Sequence, residues 1–223
     1  MINMDWKKNI KGVIFDLDGV IVDTAKFHYK AWKALADKLG IDFSEEQNEN
    51  LKGMSRMDSL NYILSLGELQ NMLEDDKRKL AASKNLYYLE LIEELDESDI
   101  LPGTMNWIQE CKQNGIKISL GSASKNARRI LDGLNLTDHF DAIIDGTNTT
   151  ETKPHPQVFL LAAKALNVEP SECVVIEDAY KGLEAARKGG FYSIGIGDPE
   201  ILKIADINLT SLADESMDVL EQL

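Results

Sequence analysis

The chain has 223 residues, 43% of them hydrophobic and 28% charged, which excludes disordered, collagen-like and coiled-coil classes. At ~100–200 residues per domain, this length gives one domain, or one domain carrying an insert. A net charge of −14 makes nucleic acid and anionic membranes poor partners, because their phosphates need a basic surface. A local basic pocket for a small phosphate remains compatible with that charge. Cys111 and Cys173 are too few for a disulfide framework and read as buried free thiols. The opening MINMDWKKNIKG carries no signal-peptide or membrane-spanning pattern, so a cytoplasmic protein is expected.

The first element is Gly12-Val13-Ile14-Phe15, a short apolar run that reads as a buried strand ending at Asp16. From about Ala25 to Asp96 every pattern is helical. Phe27, Trp32, Leu35, Ala36 and Leu39 share one face, and Gly40 stops that helix. Ser44 reads as an N-cap, with Glu45 and Glu46 in the first turn. Met57, Leu60, Ile63 and Leu64 predict a further helix, and Leu80, Leu86, Leu89 and Ile92 one more. After Pro102-Gly103, helices and strands alternate. Strands are predicted at Ile116–Leu120, Ala142–Ile144, Cys173–Ile176, Tyr192–Ile196 and near Ile207, and helices at Met105–Gln113, Ala127–Leu134, Val158–Leu166, Leu183–Lys188 and the C-terminus. This alternation implies βαβ units and a mostly parallel sheet. The first strand is thus separated from its sheet by a helical insert of about seventy residues, a candidate lid.

In open α/β sheets, ligands bind beyond the carboxyl ends of the strands. After the first strand come Asp16-Leu17-Asp18-Gly19, with two acids at positions i and i+2 of an extended chain. After Ile176 come Glu177 and Asp178. Acids gathered at adjacent strand ends repel one another unless a cation sits among them, and an all-oxygen set suits Mg²⁺. The other strand ends have the opposite character. Ser122-Ala123-Ser124-Lys125-Asn126 opens a helix, and Lys153-Pro154 precedes another, which suits an anion. Taken singly, DxDG reads as a turn, SxS as a cap, KP as a loop and a Glu-Asp pair as a helix start. Their joint occurrence, in order and each at a strand end, describes a phosphoryl-transfer centre.

On these residues the chain resembles the haloacid dehalogenase-like (HAD) phosphotransferase superfamily. FDLDGVIVDT is similar to its first motif, GSAS to its second, the Lys153 region to its third and IEDAYKGLEAARKGG to its fourth. FHYKAWKAL, LKGMSRMDSL, SASKN and KPHPQVF carry a narrower resemblance to the β-phosphoglucomutase family within it. The resemblance implies an α/β fold: a Rossmann-like core (1–24 and 97–223) with an inserted small α-helical cap (25–96). It implies Asp16 as nucleophile, Asp18 as general acid and base, and Mg²⁺ as cofactor. Asp16, the backbone carbonyl of Asp18, and Asp178 would bind the metal, with Glu177 in support. Ser122 and Lys153 would hold the transferring phosphate.

Arg56 would clamp a second phosphate with its planar fork. Ala123, Ser124, Lys125 and Asn126 would assist from the core, and Thr24, His28, Lys52, Gly53, Ser59 and Lys84 would orient the sugar or gate Asp18. Other readings stand beside these. Lys84 lies in a polar basic stretch where a lysine is ordinarily solvated. Trp32 reads as core, His28 as a satisfied interface histidine, and His139 and His155 as loop residues without a role. Gly146–Thr152 departs from the mutase pattern. The Lys153-Pro154 bond is expected to be cis. The expected activity is interconversion of β-D-glucose 1-phosphate and glucose 6-phosphate through the 1,6-bisphosphate, by a monomer. The alternative is hydrolysis of a small sugar phosphate or phosphoglycolate.

Overall fold

The computed structural model describes residues 9–51 and 54–223. The chain divides into two compact units, Met1–Asp23 with Asp96–Leu223, and Thr24–Leu95.

The first unit is an α/β fold on a six-stranded parallel sheet. Its strands are β1 (Gly12–Phe15), β2 (Lys117–Gly121), β3 (Ala142–Ile144), β4 (Cys173–Glu177), β5 (Tyr192–Ile196) and β6 (Ile207–Leu209), in the order β3-β2-β1-β4-β5-β6. Every residue of β1 and β4 is buried, as expected of central parallel strands covered on both faces. After β1 the chain builds outward through β2 and β3. It then returns to the other side of β1 to lay down β4. The β1/β4 pair is therefore the topological switch point, where a ligand crevice forms.

The helices of this unit are Thr104–Gln113, Ala127–Gly133, Gln157–Leu166 and Tyr180–Gly189. The C-terminal segment is a 3₁₀ helix, Met217–Gln222, rather than the α-helix its pattern suggests. Ile14 and Val175 from the sheet pack with Phe159, Ala162, Ala163, Ala185 and Phe191. Burying an Ile or Phe side chain contributes about 1.5–3 kcal/mol. Cys111 and Cys173 are buried free thiols, both pushed up to about 12 by burial.

The second unit is all helical. We label its helices α1 (Ala25–Lys38), α2 (Glu45–Glu49), α3 (Arg56–Leu66) and α4 (Glu74–Leu91). Ser44 caps α2 in a reciprocal pair with Gln47, so the short helix has its first donors satisfied. Trp32, Leu35, Phe43, Leu60, Ile63 and Leu64 form the core.

The buried face of α4 differs from the expectation. It is Lys77, Ala81, Lys84 and Tyr88, while Leu86 is 64% exposed. The spacing of four, three and four is helical, but two of the four residues are lysines, whose aliphatic stems bury while their charges find partners. Lys84 is therefore not a solvated side chain.

Candidate active site

Register brings the acids together. Phe15 pairs with Ile176 across β1 and β4, and the Asp16 amide extends that ladder to the Ile176 carbonyl at 2.9 Å. Asp16 and Glu177, the next residues along each strand, therefore stand side by side. Asp178 follows, and ligand oxygens of Asp16, Glu177 and Asp178 lie within 4.8 Å of one another. The Asp18 side chain is not one of these three. Three hydrogen bonds to the Leu17 carbonyl, from the Val20, Ile21 and Val22 amides, close the loop that carries Asp18.

Lys153 enters from the loop after β3. Its peptide with Pro154 is cis, as expected. The ammonium donates to Asp16 Oδ1 at 2.6 Å and to Glu177 Oε1 at 2.5 Å. Glu177 Oε2 accepts from the Ala179 amide at 2.8 Å, so both Glu177 oxygens are fixed. Burial works against the Lys153 charge, and the Asp16 and Glu177 carboxylates overcome it, raising its pKa above the ordinary lysine range. Burial raises the Asp16 carboxyl well above the usual carboxylate range, and Lys153 opposes that shift.

Two glycines make room for the carboxylates. A Cβ on Gly19, where φ is +78°, would lie 2.2 Å from Asp178 Oδ2. A Cβ on Gly182 would lie 1.8 Å from Glu177 Oε1. Gly182 is a functional position that sequence reasoning missed. It lies one residue before the predicted helix Leu183–Lys188 but inside the observed helix Tyr180–Gly189, where a glycine costs about 1 kcal/mol against alanine.

The loop after β2 holds the predicted anion-binding residues. Ser122 is buried, and its Oγ accepts from the Ser124 amide at 3.0 Å. Ser124 Oγ accepts from the Asn126 amide at 3.2 Å. Lys125 is exposed, and Ala123, Ser124 and Asn126 are half-buried. Gly146 packs on this loop: its amide donates to the Ser124 carbonyl, and a Cβ there would sit 2.3 Å from the Ala123 carbonyl oxygen. The Gly146–Thr152 segment thus has a fixed place. Asp145 anchors it by accepting from the Thr147 amide at 2.8 Å.

The helical unit brings a second set together. Lys84 Nζ lies 3.0 Å from His28 Nδ1 and sits over the rings of Trp32 (4.4 Å) and Tyr88 (4.6 Å). His28 also stacks on Tyr88, with ring centroids 4.2 Å apart. Burial, then the charges of Lys84 and Arg56, hold the His28 pKa well below its ordinary value. Arg56 begins α3 behind its N-cap Ser55, and Ser59 is buried one turn later on the same face. Thr24 is buried at the head of α1. Lys52 and Gly53 lie outside the described residues.

Residues 10–190 match the haloacid dehalogenase-like hydrolase family model. The chain belongs to this family of enzymes. It is 40% identical to β-phosphoglucomutase of Bacillus subtilis over 96% of this chain and 95% of that protein. The crystal structure of β-phosphoglucomutase from Clostridium difficile matches it with a TM-score of 0.92 at 45% identity, covering 96% of each chain. A fructose-1-phosphate phosphatase of Escherichia coli is 31% identical over 83% of this chain and 95% of its own length. Among the described residues, no helix is long and apolar enough to cross a membrane.

The donor set fits a hard divalent cation. Oxygens of Asp16, Glu177 and Asp178 converge, Lys153 donates to the first two, and a divalent cation would offset the carboxylate charge gathered there. All the ligand atoms are oxygens, which favours magnesium over softer metals.

Proposed function

We propose that the protein is a Mg²⁺-dependent β-phosphoglucomutase, interconverting β-D-glucose 1-phosphate and glucose 6-phosphate. The observation that carries this reading is the second cationic set. In addition to Lys153 in the α/β unit, the helical unit holds the buried Lys84 and the half-buried Arg56, and both charges act on His28. A monophosphate hydrolase needs one phosphate site, whereas a sugar bisphosphate needs two.

In this reading Asp16 attacks the phosphorus of a sugar bisphosphate. The bond from phosphorus to the sugar oxygen breaks, and Asp18 gives that oxygen a proton. Asp18 then takes the proton of the 6-hydroxyl of β-glucose 1-phosphate as that oxygen attacks the aspartyl phosphate. The product is β-glucose 1,6-bisphosphate. Turned end for end, it returns its 1-phosphoryl group to Asp16 and leaves as glucose 6-phosphate. Ser122 and Lys153 hold the transferring group, and Asp16, Asp178 and the Asp18 carbonyl, with Glu177 in support, would hold Mg²⁺, which would supply charge neutralisation. Arg56 holds the other phosphate, with Ser124, Lys125 and Asn126 in support. Thr24, His28, Lys52, Gly53, Ser59 and Lys84 serve the sugar and the lid, which keeps water from the aspartyl phosphate.

The hydrolase reading shares every residue of the α/β unit, so the test lies in Arg56. Arg56→Ala is expected to lower mutase turnover roughly 10–100-fold, the worth of a charge-assisted hydrogen bond. Slow hydrolysis of a small monophosphate should change far less. Equal losses in both reactions would count against a distal clamp and favour the phosphatase.

A further inference from the structure

An ammonium group has three N–H donors and no acceptor. Two neighbours of the buried Lys153 ammonium are Asp16 and Glu177. A third is apolar: Lys153 Nζ lies over the ring of Phe159, 4.7 Å from its centroid. The face of an aromatic ring carries negative potential and attracts a cation, most strongly where water is excluded.

The ring is held in that orientation. Phe159 is fully buried in the helix Gln157–Leu166 and meets Phe191 edge-on, with centroids 6.2 Å apart and planes at 68°. Gly121 on β2 admits it, since a Cβ there would come within 2.9 Å of Phe159 Cδ1. Gly189 admits Phe191 in the same way, with a Cβ only 2.5 Å from Cε2 of that ring. Two glycines thus make space for an aromatic pair whose inner member faces the active-site lysine. A leucine would fill much of this volume and bring no ring face.

We infer that Phe159 is a positioning residue for phosphoryl transfer. Its ring covers one side of the Lys153 ammonium, keeps water from that side and leaves the remaining N–H to a phosphoryl oxygen. The inference rests on the reading of Lys153 as the lysine that holds the transferring group.

The test replaces Phe159 in the full chain with mono-, di- and trifluorophenylalanine, which weaken the ring face stepwise with little change in size. The rate of enzyme phosphorylation by acetyl phosphate, with Mg²⁺ present, is expected to fall in that order. The loss should reach about tenfold at the trifluoro ring, with the melting temperature nearly constant. A flat rate across the series would overturn the inference. Absence of any phosphorylation in the unsubstituted protein would instead overturn Asp16 as nucleophile. Calorimetric binding of inorganic phosphate then decides the Phe159 question alone: the dissociation constant rises along the same series if the inference holds, and a constant value refutes it.

Discussion

Lys84 Nζ lies 3.0 Å from His28 Nδ1, and this contact fixes the state of the imidazole. An ammonium can only donate, so Nδ1 must be the bare, accepting nitrogen and Nε2 must carry the hydrogen. His28 therefore presents an N–H donor at Nε2. Burial and the two nearby cations keep it neutral.

A neutral buried histidine makes stability depend on pH with a definite sign. The folded pKa lies below the unfolded value of 6.5. Below about pH 6.5 the unfolded chain binds a proton that the folded chain does not, so stability falls as the pH drops. The full contribution is present above that value, and the slope is at most about 1.4 kcal/mol per pH unit. Urea unfolding between about pH 7.5 and 5 should show this loss, and His28→Gln should remove this part of it. An unchanged slope in the variant would refute the assignment.

Gly182→Ala should reverse the usual sign of a glycine-to-alanine change in a helix. Propensity alone favours alanine by about 1 kcal/mol. At this position the new Cβ would fall 1.8 Å from Glu177 Oε1, so the carboxylate must move or the helix must shift. A lower melting temperature and weaker Mg²⁺ binding are expected. A stabilised variant with unchanged Mg²⁺ affinity would contradict the packing described.

Lys153→Met leaves buried carboxylates facing one another without their ammonium. Removing one partner of a buried ion pair costs about 3–5 kcal/mol. The variant should therefore melt lower in chelator and regain more stability on addition of Mg²⁺ than the parent protein does. Asp178→Ala should blunt the Mg²⁺ response. Identical Mg²⁺-induced shifts in all three proteins would place the ion elsewhere. Loss of Lys153 should also lower phosphoryl transfer by about 10²–10³-fold, as for removal of one donor to developing charge.

The strands of the α/β unit and the acids at their ends were legible in the sequence because each depends on neighbours in the chain. Asp16 follows an apolar run, Ser44 precedes its own helix, and Glu177 ends a buried strand. The face of α4 was not legible. Leu80, Leu86 and Leu89 are the hydrophobic choice, yet Lys84 is buried because His28 and Trp32, more than fifty positions earlier, supply its partners. Gly182 was missed although its partner is near in sequence, since the carboxylate that needs its missing Cβ, Glu177, ends the preceding strand β4 and the predicted helix starts only at Leu183. Contacts between different elements decide both cases, and periodicity within one element does not record them.

The central claim is that the aspartyl phosphate passes its phosphoryl group to a sugar hydroxyl rather than to water. A phosphorus NMR time course tests it directly, with protein, Mg²⁺, β-D-glucose 1-phosphate and a trace of β-glucose 1,6-bisphosphate. Growth of glucose 6-phosphate with little inorganic phosphate is the predicted result. Inorganic phosphate without glucose 6-phosphate would contradict the mutase and leave a phosphatase.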